Sequence, residues 1–439
     1  MKIALVPVVR TLFAGSRLGL ENQMANVLGR LQKDYQFELY VGDVVSTREQ
    51  ASEAAQKLER LSPDLVILGV ITFAGGEVFS PLLEVDVPKV LWALPETWSD
   101  GPLPQNALCG LNLALSLPAL KAPAKWWFGP PEEGAVQAYL DGVLRALKGV
   151  KALRKARLLW LGGPAPGFDA FSERPTTGAR VDHKELDALF EAFDSLSLQR
   201  MEVPGLEDPT WNALPKDIAE KFTRLAVAIS MLSEGYDGVA LRDWPEIPER
   251  LGVFSSAVLA RLSELGVTVA PEGDLLGLLS QIVLQAVSGG RAILLDIVAP
   301  GPDGLLLWHA GEAPASWAED GWRLIPHFNR GLPAVRSMVL KRGPVTGLRL
   351  FRGRAVLVAG ELTGRGGYLG SAGWLSNLSW NAEPVGPQDF LDRWLGARVP
   401  HHIALVQGDW TGAVWEALRW CGIPLADRGE GEVWGTSWW

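Results

Sequence analysis

"VAPEGDLLGLLSQIVLQAVSGG", residues 269 to 290, ends one pattern and begins another. A short apolar strand, "VTVAP" (267 to 271), hands over to a helix predicted from about 274 to 287. Glu272 and Asp274 stand at that handover, between two apolar runs. Such acids are among the residues least often fully buried without a partner. Two readings follow: they complement the positive end of the helix, or they belong to a site, because ligands bind at the carboxyl ends of strands in an α/β sheet.

Upstream of this stretch, apolar runs alternate with helical patterns. "IALVPVV" (3 to 9), a helix around 20 to 33, "FELYV" (37 to 41), a helix near 47 to 61, "DLVILGV" (64 to 70) and "KVLWAL" (89 to 94) give the βαβ rhythm of a parallel sheet. The short basic stretch "LKGVKALRKAR" (147 to 157) reads as a link to a second copy of the rhythm. That copy comprises "LLWLGG" (158 to 163), helices near 183 to 195 and 214 to 233, "DGVAL" (237 to 241), a helix near 252 to 265, and the strand at 267 to 271. Downstream of 290 the pattern becomes short strands punctuated by glycine: "AILLDIV", "GLLLWHAG", "GLRLFRG" and "RAVLVAGELTG". This spacing predicts antiparallel sheet or barrel. The expected fold is therefore α/β, with two parallel-sheet αβα domains (1 to 152 and 153 to 289) followed by a mainly antiparallel, barrel-like domain (290 to 439).

Composition narrows the function. A chain of 439 residues exceeds one ordinary core, and 48% hydrophobic residues supply several. A formal net charge of −9 and the lack of a long basic block argue against nucleic acid as a partner. The N-terminal run is broken by Pro7 and ended by Arg10, so it reads as a strand and not an export signal. No run approaches the ~18 apolar residues of a membrane span, and the expected location is the cytoplasm. With only Cys109 and Cys421, neither a disulfide framework nor a thiolate metal site is available. Any metal is then held by oxygen and imidazole.

Some local signals are structural. "GGPAPG" (162 to 167) follows a strand but lacks the dinucleotide fingerprint and the Walker lysine, so it reads as a turn. "GRGG" (364 to 367) reads as a hairpin connection. Twelve of the nineteen tryptophans lie from 308 onward and are read as core aromatics in preference to a sugar-stacking surface.

Acids and histidines scattered along the second half are harder to dismiss. Asp296 interrupts the apolar strand "RAILLDIVAP", where an acid must be paired, protonated or bound to a cation. His309 ends another apolar strand, near Glu312. In "VPHHIALVQGD", strand alternation sends His401 and His402 to opposite faces, so only one of them is expected to face a given site. Read singly, each residue also fits a satisfied buried hydrogen bond. His183 and His327 carry no signal of their own.

Taken in order, "DWPEI" (243 to 247), "VAPEGDLLGLLSQIVLQAVSGG" (269 to 290), "LLDIVAP" (294 to 300), "LWHAGEAP" (307 to 314) and "HHIALVQGD" (401 to 409) resemble the motif set of the L-fucose isomerase and L-arabinose isomerase-like proteins. The resemblance runs from about 220 to 425, and the preceding α/β halves are compatible with it. It implies a divalent ion, usually manganese, on Glu272, Asp296 and His402, with His309 at a position that ligates in the arabinose branch. The resemblance prefers His402 to His401, because the histidine of those proteins stands six residues before the glycine that matches Gly408. Where many members have cysteine, this chain has Asp243, Pro271 and Ala310, none at a ligand position.

The implied activity is metal-dependent aldose–ketose isomerisation of a pentose or (deoxy)hexose through an ene-diolate. A cation that stabilises oxygen charge suits this chemistry, and two carboxylates whose environments separate their pKa values suit its proton transfers. Glu272 and Asp296 are thus expected to be both ligands and catalysts, and Asp274 to support the helix start. His309, His401, Trp244, Arg10 and Arg17 are candidates to touch the sugar. The resemblance also implies a homo-oligomer, trimer or hexamer, with sites near subunit interfaces. The competing reading is a non-catalytic sugar-binding or regulatory relative of the same fold. A periplasmic-type binding protein has suitable domain shapes but needs an export signal.

Overall fold

The computed structural model describes residues 1–96, 100–120, 124–196 and 208–426. Two compact units emerge, Met1–Leu147 and Lys148–Trp439. In the N-terminal unit, β1 (Lys2–Val8), β2 (Glu38–Val41), β3 (Leu65–Val70), β4 (Lys89–Ala93) and β5 (Ala124–Phe128) form a parallel sheet in the order β2-β1-β3-β4-β5. Its central strands are apolar throughout because helices cover both faces. Local signals start those helices where expected. Thr47 and Gln50 make a reciprocal cap on Arg48–Leu61, and Ala51, Ala55 and Leu58 recur on its buried face.

The C-terminal unit contains two further sheets. β6 (Arg157–Leu161), β7 (Arg180–Lys184), β8 (Gly238–Leu241) and β9 (Val269–Ala270) are parallel in the order β7-β6-β8-β9. They are followed by β10 (Ile293–Gly301), β11 (Gly304–His309), β12 (Ala318–Ile325), β13 (Val335–Leu340), β14 (Gly343–Phe351), β15 (Arg354–Leu362), β16 (Ser371–Trp380), β17 (Glu383–Pro384) and β18 (His402–Gln407). Antiparallel pairing in the order β11-β10-β18-β14-β15-β16 closes through a β16–β11 ladder, giving a six-stranded barrel. β12, β13 and β17 extend it. The two sheets have separate cores, one centred on Phe190, Trp211, Phe222 and Val239, the other on Trp317, Trp380, Phe390 and Leu405.

Two expectations change. The basic stretch 147–157 does lie at the boundary of the two compact units, but as regular structure and not as a separate linker: it completes the helix Glu133–Lys155 and begins β6. Beneath its lysines run Leu147, Val150 and Leu153, all buried, and this stripe at helical spacing holds the segment against the protein. The segment 180–184, partly read as helix, is the edge strand β7. Its one pairing partner is β6, and with a largely polar sequence it has no apolar run to mark it.

Candidate active site

The strand-to-helix handover is built around an unusual backbone. Glu272 has φ 60° and ψ 10°, a left-handed conformation that a side-chain-bearing residue adopts only when its surroundings enforce it. Here three bonds do so. The Glu272 N–H donates to Asp243 Oδ1 at 2.8 Å, its carbonyl accepts from the Ala165 N–H at 2.9 Å, and the Gly273 carbonyl accepts from Trp160 Nε1 at 2.9 Å. Gly273, at φ +71°, must be glycine because a Cβ there would lie 1.9 Å from the Gly163 carbonyl oxygen. The turn "GGPAPG" therefore has a second task, as the floor on which the Glu272 turn rests.

Asp274 caps the next helix, Leu275–Ser288, by accepting from the Gly277 N–H at 2.9 Å. It does more than support the helix start. Fully buried, it ion-pairs with Arg349 of β14 and accepts from His402 Nδ1 at 2.9 Å. His402 opens β18 opposite Asp296 of β10. With Nδ1 engaged, its Nε2 points between two acids, 3.3 Å from Glu272 Oε2 and 3.3 Å from Asp296 Oδ1. Neither approach has hydrogen-bond geometry, so all three atoms are buried without a hydrogen-bond partner.

His309 joins from the end of β11. Its Nδ1 donates to Glu312 Oε2 at 2.6 Å, and Glu312 Oε1 accepts from Ser256 Oγ at 2.7 Å. Ligand atoms of Asp296, His309 and His402 lie within 4.8 Å of one another, as do those of Glu272, His401 and His402. Both members of the histidine pair thus reach the acids, with His401 Nε2 3.8 Å from Glu272 Oε2 and 3.8 Å from Asp296 Oδ1. Strand alternation does not separate them because β18 begins at His402, leaving His401 in a bend.

The charges are mutually dependent. Burial acts to raise the Glu272 carboxyl, but His401 and His402 outweigh it and hold the group well below the usual range. Burial disfavours a charged His309, yet Glu312, Asp296 and Glu272 together raise it to about 10. Burial likewise opposes charge on His402, and Asp274 and Glu272 reverse that effect. Asp243 is pushed up to about 6 by burial, partly offset by its bonds from Ser255 Oγ and the Glu272 N–H.

A cavity of about 220 Å³ opens beside this cluster; Glu272, Asp296, His309, Trp244, Trp308 and Phe328 are among its lining residues. Trp308, read as a core aromatic, thus lines the cavity. Arg10 and Arg17 are exposed in the N-terminal unit, away in sequence from every residue of the cluster. His183 stays outside it, stacked at an angle on Trp160. His327 does line the cavity, with its ring stacked on Phe254 and Phe328. Phe171, 4.6 Å from the His402 ring, and Arg349 were not anticipated. Arg349 had a signal, a cation set between apolar residues of the strand stretch "GLRLF" (347 to 351).

No protein-family model matches the chain. Among curated proteins it is similar to the sulfoquinovose isomerase of Alkalicoccus urumqiensis, 27% identical over 394 residues covering 83% of this chain and 86% of that one. The sulfoquinovose isomerase of Priestia aryabhattai is 27% identical over 396 residues, 84% of this chain and 86% of that one. That of a Clostridium species, strain MSTE9, matches over 62% of this chain and 65% of its own length, again at 27% identity. Among solved structures, a transporter solute-binding protein from Conexibacter woesei aligns with a TM-score of 0.19 and 14% identity over 67% of this chain and 76% of that one, too little to bear on fold or function. The curated relatives share one named activity, and their similarity supports an enzyme of the sugar isomerase class.

Proposed function

We propose that this chain is an aldose–ketose isomerase whose Glu272, Asp296 and His402 hold a divalent ion, Mn²⁺ foremost, with His309 beside it. The observation that carries the metal is the convergence of Glu272 Oε2, Asp296 Oδ1 and His402 Nε2, three buried atoms without hydrogen-bond partners. Buried polar groups are normally satisfied, and a donor set of carboxylate oxygen and imidazole nitrogen suits Mn²⁺ or a similar cation. Both histidines reach this point through Nε2 because a carboxylate engages each Nδ1, the arrangement that orients metal-ligating histidines. When bound, the ion would supply Lewis-acid stabilisation of the negative charge that develops on the sugar oxygens.

The chain's own groups then handle protons. Glu272, kept ionised by its histidine neighbours, takes the proton from C2 of the aldose and returns it to C1. Asp296, across the same gap, exchanges the hydroxyl proton, and His401 at the more exposed edge contacts a sugar oxygen. Trp244 and Trp308 present aromatic surface to the sugar ring. The relatives named for sulfoquinovose isomerisation support a sugar as the substrate. The oligomer implied by the motif resemblance belongs to the same reading, with Arg10 and Arg17 offered to a second copy.

Ketose formation from a panel of aldoses, with Mn²⁺ and again after chelation, tests the proposal. Wild type should convert at least one aldose only with metal, and Glu272→Gln should lose at least about 10²- to 10⁴-fold in kcat, the usual worth of a general base, with its melting temperature retained. Sugar binding without turnover in the wild type, or full activity in Glu272→Gln, overturns it.

A further inference from the structure

The cavity that Glu272 and Asp296 face is lined by two further carboxylates, Asp243 and Glu312. Besides the histidines, the remaining charged lining residue is a cation, Arg330. It stands in the segment 326–334 between β12 and β13. Arg330 is an exposed residue, so its guanidinium can pair with one of these acids or stay in water. It pairs with none: among the described residues no carboxylate forms an ion pair with it and no acceptor takes a hydrogen bond from its side chain. Its guanidinium instead lies over the Trp244 ring, 5.2 Å from the centroid. The acids that line the cavity face other groups. Glu312 is engaged by His309 and Ser256, Asp243 by Ser255 and the Glu272 N–H, and Glu272 and Asp296 face His402.

Contact with an indole face positions a guanidinium without consuming its donors. An arginine so held keeps its forked N–H groups for an oxyanion, the geometry that makes arginine suited to sulfonate, phosphate and carboxylate. A neutral aldose gives this cation nothing to neutralise. An anionic sugar entering a cavity lined by four carboxylates needs a compensating positive group beyond the ion at the isomerising carbons, and Arg330 is the one on the lining.

We propose that Arg330 is a specificity-determining residue that receives a sulfonate or phosphate carried by the sugar away from C1 and C2. This inference rests on the isomerase reading above. It makes the substrate an anionic aldose, and it gives Trp244 the task of holding the arginine in place.

The test compares kcat/KM for D-glucose, 6-deoxy-6-sulfo-D-glucose and D-glucose 6-phosphate in Mn²⁺-loaded wild type, Arg330→Gln and Arg330→Lys. Wild type should prefer one of the anionic sugars to D-glucose, and which one names the oxyanion. Arg330→Gln should lower kcat/KM for that sugar by about 10- to 100-fold, the range expected for a charge-assisted hydrogen bond, mainly through KM. Turnover of D-glucose should change less than about twofold, and Arg330→Lys should recover part of the loss. Equal losses for neutral and anionic sugars would reduce Arg330 to a brace for Trp244, and a wild type indifferent to the anion would also overturn the proposal. If wild type isomerises no sugar, the isomerase reading fails separately. Calorimetric binding of the same three sugars to wild type and Arg330→Gln then decides this inference: a preference for the anionic sugar that the variant loses supports it, and no preference overturns it.

Discussion

Asp274 joins three parts of the protein through one carboxylate. It caps the helix Leu275–Ser288, ion-pairs with Arg349 of β14 and accepts from His402 Nδ1. The third contact leaves Nε2 of His402 facing Glu272 and Asp296. The cap and the His402 contact use different oxygens of Asp274, so Asp274→Asn, with a single oxygen, keeps an acceptor for only one of them and removes the charge opposite Arg349. Loss of such an outer partner of a metal-ligating histidine costs about 10- to 100-fold in metal affinity, so Mn²⁺ titration by calorimetry should show a drop of that size. Unchanged affinity in a folded variant would mean that Asp274 serves only the helix and the ion pair. Sequence reading reached half of this role. A cap can be read from four consecutive residues, "DLLG", whereas Arg349 and His402 are 75 and 128 residues away and meet Asp274 only when the barrel closes. The convergence of Glu272, Asp296 and His402 was expected because the ordered motifs marked them; that of His401 was not, because alternation was applied one residue before the strand begins.

Among the elements, β13 contributes a buried cation that the site does not use. Arg336, fully buried on that strand, pairs with Asp208 and with Glu264 at the end of the helix Ser256–Glu264, and lies over the Trp322 ring of β12. Burial acts to raise both carboxyls, but hydrogen bonds from Thr210 and Arg336 lower Asp208, and those from Arg336 and the Ala315 N–H lower Glu264. A carboxyl with a lowered folded pKa adds stability that is complete above its unfolded value and is lost as pH falls through the folded one. The ordinary values are 3.8 for Asp208 and 4.5 for Glu264, so this contribution is whole above about pH 4.5 and fades below it. Removing the shared cation takes the ion-pair partner from the buried Asp208 and one of two from the half-buried Glu264, which keeps Arg261, a loss of about 3 kcal/mol. Melting temperature followed from pH 7 to pH 3 should therefore fall more steeply in wild type than in Arg336→Met, which starts lower. Parallel curves would show that the network contributes nothing to acid sensitivity. The elements themselves were largely readable from periodicity, with misses where periodicity is weak: β7 is a polar edge strand, and the lysines of 148–155 hid an apolar stripe at helical spacing.

At the scale of the molecule, the candidate metal-site residues come from both sheets of the C-terminal unit: Glu272 follows β9 of the parallel sheet, whereas Asp296, His309 and His402 belong to barrel strands. The succession of two βαβ patterns and a strand-rich end predicted those layers. A barrel was expected from the glycine-punctuated strands, but the ladder that closes it was not, because β11 and β16 pair residues about 62 to 70 positions apart, with no turn between them to signal pairing. On the proposed metal site, ligands drawn from two sheets would make ion binding a fastening between them. A ligand that binds only the folded state stabilises it by RT ln(1 + [L]/Kd), about 2.7 kcal/mol at a hundredfold excess over Kd. For a unit of this size each kcal/mol raises the melting temperature by roughly 2 to 4 °C. Saturating Mn²⁺ should therefore raise the unfolding temperature of the full chain by several degrees in scanning calorimetry, and chelation should reverse the shift. His402→Gln removes the ligand common to both clusters and should abolish most of the response, while Arg330→Gln, which touches no metal-site residue, should keep it. A wild-type melting temperature indifferent to Mn²⁺ would leave the three orphaned atoms without the ion proposed to satisfy them, and the metal-dependent mechanism would fall with it.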